Sequence, residues 1–88
     1  MSNPSIGSRI RAAREHAGFD KGRRFAEQLG IASETLSRYE HDRAVPRGPT
    51  LARIAVECGV TTDWLLTGQG EGPPIDDEDP AATGTDAA

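Results

Sequence analysis

The stretch of residues 29–40, LGIASETLSRYE, constrains the fold of this chain more than any other part of the sequence. Gly30 can adopt the positive φ that commonly ends a helix in a tight turn. A new helix is predicted to begin at Ser33, because Leu36 and Tyr39 lie three positions apart and share one helical face. The stretch therefore predicts two short helices joined by a tight turn.

The opposite face of this second helix is polar and rich in hydrogen-bond donors and acceptors. Such a row suits a helix that reads base edges in the major groove of DNA. Two residues of this row leave alternatives open. Glu34 could accept a hydrogen bond from a cytosine amino group, or it could only stabilise the helix N-terminus as an anion. Arg38 could read guanine, or it could only pair with phosphate. The residues predicted to read base edges are Ser33, Glu34, Thr35, Ser37 and Arg38.

Length and composition indicate a single small domain. The 88 residues are 35% hydrophobic and contain only four aromatic side chains, so we expect a core of Leu, Ile, Val and Ala. No apolar run approaches the length of a membrane helix, and the N-terminus lacks the apolar segment of a signal peptide. The single cysteine, Cys58, fits a reducing compartment. We therefore expect a cytoplasmic protein.

The net charge of −4 hides an uneven distribution. All ten Lys and Arg residues lie between Arg9 and Arg53, whereas six of the fourteen acidic residues follow Gly70. Residues 1–70 therefore carry +2 and residues 71–88 carry −6. The basic residues could be ordinary solubilising charges, or they could contact the phosphate backbone, which dominates the affinity of proteins for DNA. The predicted phosphate contacts are Arg23, Arg24, Arg43 and Arg47.

The spacing of apolar residues predicts three further helices around this pair of helices. Ser5, Asp20 and Thr62 are the predicted N-caps of the first, second and fifth helices. On the first helix, Arg9, Arg11 and Arg14 are expected on the solvent side. Together with the two helices that flank the turn, the five predicted ranges are 5–17, 21–29, 33–41, 50–58 and 63–67.

The composition changes abruptly after Gly68 to Gly, Pro, Asp and Ala. Such a segment cannot bury enough apolar surface to offset its ordering entropy. We therefore predict a DNA-binding domain in residues 1–70 and a disordered acidic tail in residues 71–88. The tail is interpreted as a solvated terminus, and the alternatives are that it competes with DNA or docks a protein partner.

Four segments carry a resemblance to a known family: FAEQLGI at 25–31, TLSRYE at 35–40, LARIA at 51–55 and DWLLTG at 63–68. Together they resemble the phage repressor and Cro-like helix-turn-helix family, which includes xenobiotic-response-element-type regulators. The resemblance implies an all-α, compact five-helix, lambda-repressor-like domain. It also implies a homodimer that binds a near-palindromic operator with half-sites about one helical turn apart, and that usually represses transcription.

The family resemblance also implies roles for individual residues. It supports base or phosphate contacts for the row on the third helix, and backbone contacts for Arg23 and Arg24. Arg14 and Glu40 match positions that form a partly buried structural ion pair between the first and third helices, and such a pair holds the recognition helix at a fixed angle. The family often has Asn-Gly after this glutamate, whereas this chain has His41-Asp42, and Asp42 is expected to repel phosphate.

The segments around 46–49 and 61–64 resemble places where two family members meet on DNA. The predicted contact residues are Pro46, Pro49, Thr62 and Trp64, although Trp64 could instead belong to the core.

No residue pattern indicates a catalytic or metal site. His16 and His41 stand without metal-like partners, and Cys58 is expected to be buried and inert. We therefore expect no enzyme activity, no cofactor and no metal. Two other functions remain open beside DNA-binding regulation: an antitoxin that holds its toxin with the acidic tail, and a protein-interaction module that has lost DNA binding.

Overall fold

A computed structural model describes residues 5–73, which form five α-helices and contain no strand. The prediction of an all-α, five-helix fold is therefore confirmed for this part of the chain. Most of the predicted acidic tail, residues 74–88, lies outside the described residues. The helices are α1 (Ile6–His16), α2 (Gly22–Leu29), α3 (Ser33–Glu40), α4 (Gly48–Cys58) and α5 (Thr62–Thr67).

The core is built where α1 packs on α3, α4 and α5, and where α2 packs on α3 and α4. Burial, with a smaller contribution from the charge of Glu57, raises the pKa of the Cys58 thiol to about 12. The cysteine is buried, as expected, and its thiol therefore stays protonated at neutral pH. The largest fully buried side chains are Phe25, Ile10, Leu36, Ile54 and Leu65.

Two of the three predicted N-caps are wrong. Ser5 caps α1 as predicted, since its hydroxyl accepts from the Ser8 N–H at 3.1 Å. Asp20 does not cap α2, because that helix begins only after Lys21, whose side chain makes no capping bond. Thr61 rather than Thr62 caps α5 and accepts from the backbone N–H of Trp64 at 3.1 Å.

The fourth helix begins two residues earlier than predicted. The prolines and glycine of residues 46–49 were expected to keep this segment out of a helix. In the structure α4 begins at Gly48, with Pro49 in its first turn. A proline is tolerated there because the first N–H groups of a helix have no partner within the helix.

Arg9 and Arg14 were expected on the solvent side of α1, and both are buried. The Nε and Nη2 atoms of Arg9 donate to the carbonyl oxygens of Leu65 and Leu66, each at 2.8 Å. Burial lowers the pKa of Arg9, and the negative charge of Asp42 opposes that shift. A guanidinium at the C-terminal end of α5 also interacts favourably with the helix dipole. The carbonyl oxygens of Leu65 and Leu66 and the negative charge of Asp42 therefore compensate for the burial of the Arg9 guanidinium.

The chain packs on the domain beyond the predicted boundary at residue 70. The N–H of Thr61 donates to the carbonyl of Glu71 at 3.1 Å. Gly72 lies so close to the indole of Trp64 that a side chain at this position would overlap the ring. The first two residues assigned to the tail are therefore part of the packed structure around α5.

Candidate nucleic-acid interface

The turn between α2 and α3 has the geometry that the sequence predicts. Gly30 adopts φ 75° and ψ 30°, and its N–H bonds to the Glu27 carbonyl at 3.1 Å. The Ile31 N–H reaches back to the Ala26 carbonyl at 3.0 Å, which is the bonding pattern of a glycine-terminated helix. The chain leaves this turn in extended conformation at Ala32 and enters α3.

Among the residues of α3, only Leu36 is buried, and Tyr39 packs partly against the core. The predicted row of polar residues lies away from this contact. Thr35 is half-buried and the other members are exposed. Apart from Ser37, whose hydroxyl lies 3.4 Å from Nδ1 of His41, none has a side-chain hydrogen bond or ion pair within residues 5–73. The structure thus brings Ser33, Glu34, Thr35, Ser37 and Arg38 together on one short helix.

The ten basic residues divide into two groups in the structure. Four of them, Arg9, Arg11, Arg14 and Arg53, bind carboxylates or carbonyls of the domain itself. The other six are exposed and make no hydrogen bond or ion pair with any residue in the range 5–73. All six lie on α2 or α3 or in the adjoining loops: Lys21, Arg23, Arg24, Arg38, Arg43 and Arg47.

This division gives an acidic chain a local positive surface. Lys21, Arg23 and Arg24 line an open depression between the end of α1 and the start of α2. Arg43 and Arg47 lie in the loop between α3 and α4. Unpaired guanidinium groups around a polar helix can meet an external polyanion without first losing internal partners.

A buried ion pair joins α1 to the end of α3. Nε of Arg14 donates to Oε2 of Glu40 at 2.8 Å, and the two side chains are 7% and 10% exposed. The guanidinium also donates to the carbonyl oxygens of Phe19 and Asp20, at 2.7 and 2.8 Å. Arg14 therefore ties the end of α3 and the loop before α2 to α1.

The predicted dimer contacts do not all reach the surface. Pro46 is buried, and Trp64 is 3% exposed and belongs to the core. Pro49 is exposed and Thr62 is half-buried. Among residues 5–73, the large apolar side chains that are exposed are Val45, Val56 and Leu66.

Sequence reasoning missed the role of Asp42 and of Gly7. Asp42 was expected to repel phosphate, but its carboxylate accepts a hydrogen bond from the Gly7 N–H in the first turn of α1. A non-glycine residue at the end of a helix in the left-handed region, φ 61°, is what turns this side chain back toward α1. Aspartate is one of the few residues that tolerate this conformation, but the sequence gives no sign of which partner it meets.

Other kinds of site have no support in the described structure. Residues 5–73 contain no group of three or more His, Cys, Asp and Glu side chains that could hold a metal ion. None of the helices described is long and apolar enough to cross a membrane.

Comparison with known proteins gives consistent matches. A model of a family described as helix-turn-helix domain matches residues 7–71. The HTH-type transcriptional regulator ImmR of Bacillus subtilis is 39% identical over 62 residues, which are 70% of this chain and 48% of that protein. The SPbeta prophage-derived HTH-type transcriptional regulator YonR of the same organism is 36% identical over 63 residues, 72% of this chain and 57% of that protein. The chain therefore spans about half the length of these two relatives.

Solved structures share the fold. The P22 c2 repressor in complex with a synthetic operator superposes with a TM-score of 0.70 at 24% identity, over 76% of this chain and all of that chain. The solution structure of the DNA-binding domain of the same repressor gives a TM-score of 0.69 at 25% identity, over 77% of this chain and 88% of that one.

Proposed function

Because this chain belongs to the helix-turn-helix domain family, we propose that it is a transcriptional regulator that binds double-stranded DNA in a sequence-specific manner through α3. One observation carries the proposal. The six basic side chains without a partner in residues 5–73 lie on or beside α2 and α3, the same helices that form the turn. A helix whose polar face has only one side-chain contact within residues 5–73, flanked by exposed arginines that have none there, combines base reading with phosphate binding.

In this proposal α3 enters the major groove. Its exposed hydroxyl, carboxylate and guanidinium groups read base edges, and the residues are Ser33, Glu34, Thr35, Ser37 and Arg38. The start of α2 lies across the phosphate backbone. The arginines without internal partners neutralise phosphates and release counterions, and these are Arg23, Arg24, Arg43 and Arg47.

The relatives support the same function. Two of them are named as transcriptional regulators, and a structure with the same fold was determined as a repressor bound to its operator. Repression by occupation of a promoter is the action we propose for this chain. We also propose that the chain acts by binding alone and catalyses no reaction, as do the regulators of this family.

We further propose that two copies bind a near-palindromic operator, with half-sites about one helical turn apart. The exposed apolar side chains Val45, Val56 and Leu66 offer surface that a second copy could cover. Pro49 and Thr62 remain available for such a contact, whereas Trp64 is already covered by its own domain.

Binding to the DNA upstream of the protein's own gene, compared with a scrambled duplex of equal length, tests the function. We expect the upstream duplex to be favoured by roughly a thousandfold or more, with affinity that falls steeply as salt is raised. Sedimentation of the complex should give two chains per duplex. Absence of binding to any duplex at low salt would contradict the proposal and favour a protein-interaction module.

Replacing Arg24 with glutamine is expected to weaken binding to the upstream and scrambled duplexes by a similar factor. The substitution removes one phosphate contact, so the slope of log affinity against log salt should fall by about 1. Arg53→Gln is the matched control, because Arg53 loses the same charge but is bonded to Glu57 at 3.2 Å and to the Gln28 carbonyl at 3.2 Å. An equal effect of both substitutions would mean that only net charge matters.

Replacing Arg38 with alanine is expected to reduce the preference for the upstream duplex about 5- to 150-fold, because a contact to a base edge contributes about 1–3 kcal/mol of discrimination. Titration of both duplexes with the variant measures that preference. Arg11→Ala removes an exposed arginine whose one ion pair within residues 5–73 is with Glu15, and it should leave the preference unchanged. A uniform loss of affinity for both duplexes would assign Arg38 to phosphate instead.

A further inference from the structure

The first turn of α1 lies directly against the last turn of α3. A Cβ atom at Gly7 would lie 2.6 Å from the carbonyl oxygens of both Tyr39 and Glu40. Contacts this short do not occur for real side chains, so only glycine allows the two helices to approach this closely. The close approach brings the N–H of Gly7 within 3.0 Å of Oδ1 of Asp42, which follows α3 by two residues.

The conformation of Asp42 aims its carboxylate at α1. The chain turns sharply after α3, with the Asp42 N–H bonded to the Tyr39 carbonyl at 3.2 Å and the Arg43 N–H bonded to the Arg38 carbonyl at 2.8 Å. The left-handed backbone of Asp42, at φ 61°, completes that turn. Its carboxylate then satisfies an N–H that has no partner within α1 and lies at the positive end of the helix dipole.

Two polar contacts therefore hold the end of α3 on α1. One is the hydrogen bond from Gly7 to Asp42, and the other is the ion pair between Arg14 and Glu40, two helical turns further along α1. Among its own side chains, α3 buries only Leu36 in the core. Leu36 anchors α3 in the core, and Tyr39 packs partly against it. The polar contacts at the end of α3 add a directional restraint on the tilt of the helix relative to α1.

We infer that Asp42 is a positioning residue for sequence recognition: its hydrogen bond to Gly7 holds α3 at the angle at which the polar face of the helix meets the base edges. This inference rests on the proposed function and deepens it. It assigns to Asp42 a contribution to specificity that comes through α1 and needs no contact between Asp42 and DNA. If Asp42 acted instead as a negative charge beside phosphate, its removal would only strengthen binding to DNA.

Asp42→Gly and Asp42→Asn separate these two effects. Both substitutions remove the negative charge, and both glycine and asparagine tolerate the left-handed backbone. Only asparagine keeps a side-chain oxygen that can accept from the Gly7 N–H. We expect Asp42→Gly to lower affinity for the upstream duplex by about five- to tenfold, the net contribution of one ordinary hydrogen bond at a partly exposed site, without weakening binding to the scrambled duplex. We expect Asp42→Asn to restore the preference for the upstream duplex.

The same variants, measured without DNA, test the structural part of this inference independently of the proposed function. In heteronuclear NMR spectra of the full chain, Asp42→Gly should speed hydrogen exchange of the Gly7 amide and shift the amide signals of residues 33–40, whereas Asp42→Asn should do neither. Equal behaviour of the two variants in binding, or unmoved α3 signals in Asp42→Gly, would overturn the inference. A wild-type chain that does not discriminate between duplexes would refute the proposed function alone.

Discussion

Replacing Arg14 with alanine is expected to lower the free energy of unfolding by about 3–5 kcal/mol, because removal of one partner strands a buried charge. Glu40 is only 10% exposed at its side chain, and the carbonyls of Phe19 and Asp20 would lose a donor as well. Urea denaturation followed by the fluorescence of Trp64, the one tryptophan of the chain, measures the loss. In so small a domain this is a large part of the total stability, and a variant unfolded without urea would meet the same expectation.

Arg11→Ala on the same helix is the control for this experiment. Its ion pair with Glu15 spans 3.3 Å between side chains that are 60% and 53% exposed, and exposed pairs contribute about 0–1 kcal/mol. Adding Glu40→Gln to Arg14→Ala should recover part of the lost stability, because the stranded carboxylate is then replaced by a neutral amide. A loss below about 1 kcal/mol for Arg14→Ala would show that Glu40 finds another partner or water.

Replacing Leu36 with alanine is expected to destabilise the domain by about 2–5 kcal/mol, the usual range for a buried leucine whose removal leaves a cavity. Leu36 is 1% exposed, and it is the buried residue through which α3 is fixed to the core. The same urea titration measures the effect. Affinity for the upstream duplex should fall further than the loss of folded protein explains, because α3 also loses its anchor.

Leu66→Ala makes the same chemical change at a leucine that is 44% exposed on α5. We expect it to cost well under half of the stability lost in Leu36→Ala, because less apolar surface returns to water. Equal losses at the two positions would mean that Leu66 is covered, for example by a second copy of the chain. Repeating both titrations at several protein concentrations separates that case from a packing effect within one domain.

Much of this architecture follows from local features of the sequence. Apolar spacing placed Leu36 on the buried face of α3, and the conformational freedom of Gly30 predicted the turn before it. The hydroxyl of Ser5 predicted the start of α1 correctly. These features succeed because they depend on residues within one or two helical turns, which the sequence sets side by side.

The errors concern helix starts and buried charges. Asp20 and Thr62 are good capping residues by type, but which of several neighbours begins a helix depends on how the preceding loop is held, and here Arg14 binds the carbonyl of Asp20. Pro49 was interpreted as a helix breaker although it is acceptable in the first turn of α4. Residue type alone does not decide between these roles.

The sequence by itself determined the five helices, the turn between α2 and α3 and the polar face of α3, because each follows from hydrophobic period and backbone preference. Only the tertiary structure decided that Arg9 is buried, that Asp42 bonds to Gly7, and that six other basic residues make no hydrogen bond or ion pair with any residue in the range 5–73. The physical reason is that a charge can be buried only where other groups satisfy it, and the chain order does not show which groups those are. The partners named for Arg9 and Asp42 lie 35 to 57 positions away along the chain, and only the packing of α1 against α3 and α5 brings them together.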